Sequence, residues 1–215
     1  MSQTVPRITL AKLRKAISII DKQPIEPTLQ ALTYMRAYPA LLHASKTLAT
    51  AHHNSADLLL QLSAMCYGWM PRVARVNAKH LDQASHALAS ALTSPTVIDK
   101  QPMQDLANSL HSVVGASKLL HFVRPDLYPI WDSKVARTWA ATGNKPSNSY
   151  MSNINHYRAY LRDIEQLIAA ADFAGFYQDF NQAYGRRLDR LDIAPYTLSK
   201  VRAVEAAAFE LSGGD

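Results

Sequence analysis

Cysteine is almost absent: Cys66 stands alone among 215 residues. The chain therefore closes no intramolecular disulfide and builds no cysteine-based zinc site. Charge is also sparse, at 19% against 48% hydrophobic residues, which excludes a disordered chain and leaves enough apolar material for a substantial core. No apolar run approaches the roughly 18–20 residues needed to span a bilayer. The stretch from Met1 to Lys15 carries Arg7, Lys12, Arg14 and Lys15 with no apolar block behind them, which predicts no signal peptide. The expectation is a cytoplasmic protein with no membrane partner. Gly-rich phosphate loops, the G-x-S-x-G elbow and H-E-x-x-H are all missing, which argues against those common enzyme classes. His52 and His53 are adjacent rather than three or four apart, and His80 and His86 lack carboxylates at ligand spacing. No metal and no cofactor are expected.

Glycine is scarce as well, with 7 in the chain, while alanine and leucine abound, and clear period-2 strands are hard to find. That composition predicts an all-α fold. Tyr150, Ile154, Tyr157, Leu161, Ile164 and Ile168 recur at alternating spacings of four and three, so Ser149–Ala171 reads as one amphipathic helix. Prolines and caps mark others: Leu10–Ile20, Thr28–Tyr38 and Leu41–Thr50 interrupted at Pro39, a helix from Asn54 or Ser55 to Tyr67, and a long one from Arg72 to Leu92. Further helices are expected over Asp105–His111, Gly115–Val123, Ser133–Thr142, Asp172–Tyr184 and Pro195–Leu211. The sum is one domain of nine or ten helices. An N-terminal layer over about 1–94 and a C-terminal layer over about 103–211 would share a core, with Pro95–Pro102 as the connector.

The net charge of +6 favours polyanionic partners, DNA first, although solubility alone accounts for such a surplus in many proteins. Arg72, Arg75 and Lys79 form a basic stripe at helical spacing, and Arg186, Arg187 and Arg190 form a second cluster. Both suit a phosphate track, and both also suit ordinary solvated faces.

The most informative stretch runs from Leu110 to Arg137: L-H-S-V-V-G-A-S-K-L-L-H-F-V-R-P-D-L-Y-P-I-W-D-S-K-V-A-R. A short helix, a turn at Gly115 and a second helix lead into a loop stiffened by Pro125 and Pro129. Asp132 falls where a third helix begins, a position favourable to a carboxylate. The turn leaves N–H groups free at the start of the second helix, a setting that binds anions. Lys118 and His121 are three apart and share a face of that helix.

This arrangement resembles the core of the helix-hairpin-helix DNA glycosylases. In that family a helix, a G-hydrophobic-G turn and a second helix grip the DNA backbone, and a loop delivers a catalytic aspartate in a proline-hydrophobic-x-aspartate context. Val113-Val114-Gly115 stands where the hairpin belongs, and Pro129-Ile130-Trp131-Asp132 stands where the aspartate motif belongs. The direct resemblance covers about 28 residues. Val113 replaces the first glycine, Ser117 occupies the position of the family's Schiff-base lysine, and Lys118 comes one residue later, about 100° around the helix.

The resemblance implies an enzyme that flips a base out of the DNA stack and cleaves the sugar–base bond. Asp132 would be the catalytic carboxylate and Lys118 a candidate nucleophile. Gly115, Ser117, Lys134, Arg137, Arg72 and Arg75 would contact DNA. Trp131, Tyr128, His121 and Trp69 would line the base pocket. Plainer readings stand beside these. Asp132 serves equally as an N-cap. Lys118 is more often a solvent- or phosphate-facing lysine, and His121 a satisfied core histidine. Trp131, Val135 and Trp139 recur every four residues, which suits a core face. The Tyr67–Arg72 break is either a wedge for DNA or a packed corner. The rival reading of the whole is a non-enzymatic helical module that binds a nucleotide, a nucleic acid or a partner protein.

Overall fold

Helix caps are written along the chain in short polar side chains. Ser112 accepts from the Gly115 N–H at 2.9 Å and Ser199 from the Arg202 N–H at 3.1 Å. Asn153 accepts from the Asn155 N–H at 2.9 Å, and Asp132 from the Val135 N–H at 2.8 Å. Each satisfies a donor that the first helical turn leaves open. The computed structural model describes residues 7–22, 28–51, 55–69, 75–140 and 146–213. Among them are eleven α-helices and no strand. They are α1 (Leu10–Lys22), α2 (Leu29–Ala51), α3 (Ser55–Trp69), α4 (Leu81–Thr93), α5 (Lys100–Ser109), α6 (Val113–Val123), α7 (Ser133–Ala140), α8 (Asn148–Met151), α9 (Ile154–Ile168), α10 (Phe173–Arg190) and α11 (Lys200–Leu211). No described helix is long and apolar enough to cross a membrane.

The all-α, single-domain expectation holds, and several boundaries move. Pro39 does not break α2. A proline inside a helix strips the carbonyl four residues back of its partner, here Met35, and the Tyr196 hydroxyl donates to that carbonyl at 3.1 Å instead. The long helix expected from Arg72 does not form over the described residues: Arg75–Asn77 is irregular, one 3₁₀ turn spans Ala78–His80, and α4 begins at Leu81. The Asn77 N–H bonds the Ser109 carbonyl at 2.7 Å, pinning this strip to the end of α5 rather than continuing a helix. Pro102 lies in the first turn of α5, where a missing N–H costs nothing. The single helix expected from Ser149 is two, split where Asn153 turns extended to cap α9.

The expected hairpin turn at Val113–Gly115 is the first turn of α6. The chain reverses before it, at Leu110–Ser112, and His111 takes the left-handed conformation at φ 49°, a strain of about 1–2 kcal/mol for a non-glycine residue. Gly115 is needed for another reason. A Cβ there would lie 2.7 Å from the Tyr67 hydroxyl, which donates to the Leu110 carbonyl at 3.1 Å, so glycine permits α3 and α6 to approach.

Packing places α1 against α10 and α11, α4 on α5, and α2 and α3 on α6, while α7 and α9 both pack on α11. An aromatic cluster sits between α7, α9 and the preceding loop: Trp139 meets Tyr160 edge-on at 4.5 Å, and Trp131 lies 5.2 Å from Tyr160. The Trp139 indole N–H donates to Asp163 at 2.7 Å, satisfying a polar atom the core would otherwise orphan.

Candidate functional site

The loop between α6 and α7 is held by side chains bonded to its backbone. Ser117 accepts from the Trp131 N–H at 2.9 Å, and Glu205 from the Ile130 N–H at 3.2 Å. Tyr157 donates to the Pro129 carbonyl at 3.1 Å, and Ser199 to the Pro125 carbonyl at 2.6 Å. The His121 ring bonds the Tyr128 carbonyl at 2.7 Å. Helices α6, α9 and α11 with its cap thus fix where Asp132 starts α7. This explains why Ser117, His121 and Glu205 are buried although polar.

Asp132 and Lys118 line one cavity of about 160 Å³. That is close to the size of an engineered core cavity that takes a benzene ring. Tyr34, Met35 and Tyr38 of α2 and Trp69 of α3 form one wall. Tyr184 and Arg187 of α10, Tyr196, and Arg202, Glu205, Phe209 and Glu210 of α11 form the other. Three cations and three carboxylates therefore surround a largely aromatic space.

Two of the three cation–carboxylate pairs are closed. Arg202 bonds Glu205 and lies over the Tyr38 ring, 4.9 Å from its centre. Arg187 bonds Glu210 at 2.5 Å. Burial works against the Arg202 charge, but Glu205 and Tyr38 outweigh it and hold the guanidinium pKa above its usual value. Lys118 and Asp132 make no ion pair among the described residues. The Lys118 ammonium stands over the Trp69 ring, 5.2 Å from its centre. Burial pushes its pKa below 10.5, and the charges of Asp132 and Glu205 pull the other way. The nearby Cys66 thiol is pushed up to about 12 by burial, so it stays a thiol and has no nucleophilic character.

The protons on three cavity phenols, Tyr38, Tyr184 and Tyr196, are committed. Burial pushes His121 down to about 3, so it is neutral, and its Nδ1 must carry the proton because the Tyr128 carbonyl only accepts. Its Nε2 then accepts from the Tyr38 hydroxyl at 2.9 Å. Tyr196 donates to Met35, so Tyr184 donates to Tyr196 across 3.1 Å. Tyr38 and Tyr184 are left with oxygens that only accept.

Of the residues expected from sequence, the cavity collects Lys118, Asp132 and Trp69. Trp131, Tyr128 and His121 do not line it. Trp131 and Tyr128 are wholly buried, with Tyr128 accepting from the Ile98 N–H at 2.9 Å. Gly115 and Ser117 are buried and have no surface to offer a phosphate. Lys134 stands over the ring of Phe209, 4.8 Å from its centre, and is therefore near the cavity wall. Arg137 is half-buried, its Nε without a partner among the described residues. Arg75 is exposed and Arg72 lies outside the described residues. The second basic cluster is occupied: Arg186 pairs with Asp21 at 2.8 Å, Arg187 with Glu210, and Arg190 donates to the Ile20 carbonyl at 2.8 Å. Among the described residues no group of histidine, cysteine and carboxylates is arranged to hold a metal ion.

Sequence reasoning passed over Arg202, Glu205 and Glu210. A signal was present: three charged residues interrupt the alanine-rich apolar run Val201–Leu211, and charges within a buried helix must be paired or functional. Residues 71–206 match the model of a family described as "Family of unknown function (DUF6308)". No curated protein and no solved structure matches the chain.

Proposed function

The chain belongs to the family of unknown function DUF6308, and for it we propose a DNA glycosylase-like activity: an extruded base enters the cavity and its bond to the sugar is hydrolysed. The supporting observation is that Asp132 and Lys118, from separate elements, share an aromatic-walled cavity without pairing to each other. Trp69 and the tyrosines offer faces to a planar ring. As the C1′–N bond breaks, its electron pair stays with the base nitrogen and positive charge grows on the sugar. The Asp132 carboxylate faces that charge, and its helix-capping bond at 2.8 Å fixes its position. Water adds to C1′, its proton passes to Asp132, and the departing base takes up that proton. Lys118 offers a hydrogen-bond donor to the base. Lys134 beside Phe209 supplies a phosphate contact at the rim.

The test is incubation with duplexes carrying deaminated, oxidised or alkylated bases, scored by the appearance of abasic sites. Asp132→Asn should lower the rate roughly 10²–10³-fold, the range for removing one preorganised electrostatic group, and leave DNA binding intact. Binding should weaken steeply with salt. Wild type and variant equally inert on every substrate would end the catalytic reading.

One observation favours a second reading. The Arg186–Arg190 cluster is engaged within the protein, which removes one expected phosphate track and suits a binding module for a free nucleoside or nucleotide. A nucleoside that binds as tightly as an oligonucleotide, without bond cleavage, would select this alternative.

A further inference from the structure

The α10–α11 wall presents two oxygens that can only accept, those of Glu210 and Tyr184, beside the Arg202 Nε–H, a donor that also has no partner among the described residues. Glu210 is 5% exposed; its Oε1 takes Arg187, and its Oε2 has no partner among the described residues. A carboxylate oxygen only accepts. Tyr184 beside it has given its proton to Tyr196. Across the cavity stand two donors, with the accepting Tyr38 oxygen beside them. The Trp69 indole Nε1 is an N–H with no partner among the described residues, and Lys118 carries ammonium donors. Buried polar atoms are normally satisfied, and a ligand in the cavity is the partner that these atoms lack.

Resting on the reading of the cavity as a base pocket, we propose that Glu210 is its specificity-determining residue. It selects a planar heterocycle whose edge carries an amide N–H beside an amino group, the guanine-type edge. The two donors of such an edge meet Glu210 Oε2 and the acceptor oxygen of Tyr184. The adjoining ring carbonyl turns toward the donors of Trp69 and Lys118. A uracil-type edge puts a carbonyl where the amino group would be, against a carboxylate, and is rejected. Sites built to hydrogen-bond a polar edge discriminate strongly against its absence, because their own groups are then left unpaired.

The full chain titrated with isocytosine and with uracil tests this directly. Each is one six-membered ring, and they differ by an amino group against a carbonyl. Binding is read by calorimetry and by the indole N–H signal of Trp69. Isocytosine should bind at least tenfold tighter than uracil, as expected for a hydrogen bond to a charged acceptor. In Glu210→Gln the amide oxygen stays on Arg187 and the NH₂ faces the ring, so the preference should fall to parity or reverse. If that variant does not fold, as judged by circular dichroism, Tyr184→Phe replaces it. Loss of that oxygen should weaken isocytosine about threefold and leave uracil unchanged. Equal affinities in the wild type, no binding of either ring, or a preference untouched by the substitution would overturn the assignment. If abasic sites still form in an Asp132-dependent way, only the edge reading falls. If isocytosine is preferred and no DNA is ever cleaved, only the glycosylase reading falls.

Discussion

The cavity sets four charges on one side against two on another, in opposite states. On α10 and α11 the guanidinium groups of Arg187 and Arg202 are closed on Glu210 and Glu205. On α6 and the following loop Lys118 and Asp132 face the same space without meeting. A buried pair brings little net stability, but either member left alone is costly. Paired charges therefore act as a rigid wall. In the proposed reading, the unpaired ones answer charge that develops in the reaction.

Breaking the paired wall should have the largest effect. Glu205→Ala strands the Arg202 guanidinium and orphans the Ile130 N–H, a loss of about 3–5 kcal/mol measurable by urea unfolding. A loss under about 1 kcal/mol would mean that Arg202 finds water on its own. Next comes the acid response of the hydrogen-bonded series Tyr38–His121–Tyr128. His121 is held at about 3 in the fold against 6.5 when unfolded. Between those values the unfolded chain binds a proton that the folded one refuses, so stability falls as pH drops below 6.5, by on the order of several kcal/mol. In His121→Gln the slope of the urea midpoint against pH should flatten over that window. An unchanged slope would relocate the acid sensitivity.

Gly115→Ala tests the approach of α3 to the helix bearing Lys118. The added methyl meets the Tyr67 hydroxyl, and roughly 1–3 kcal/mol of stability should be lost to overpacking. The smallest effect tests the unpaired wall. Burial lowers the Lys118 pKa, so the folded state is penalised for carrying that ammonium at neutral pH. Lys118→Met should unfold at a higher urea concentration at pH 7, with the gap to wild type narrowing as pH rises toward 10.5. A variant less stable than wild type at pH 7 would show that Lys118 is paired after all.

Helix caps, the apolar face of α9 and the core run Trp131–Val135–Trp139 were legible because local polarity and a 3.6-residue period carry them. Asp132 and Lys118 were named together by the resemblance, and the prolines of the loop spoke only for the position of Asp132; the tertiary fold brings both to one cavity. Pro39 misled because the Tyr196 hydroxyl, far along the chain, replaces its missing hydrogen bond. Gly115 misled because a glycine required by the approach of a neighbouring helix is spelled the same way as one required by a turn. Arg187 looked free because its carboxylate, Glu210, lies 23 residues on in another helix.

From its own residues this chain determined that it would be helical, where most of its helices begin, and that a carboxylate would open α7. Those are short-range matters of propensity, capping and period. The tertiary structure alone decided which charges close on each other, which phenol protons are spent, and which side chains share a cavity. Each of these depends on desolvation by groups distant in sequence, and no local pattern encodes that.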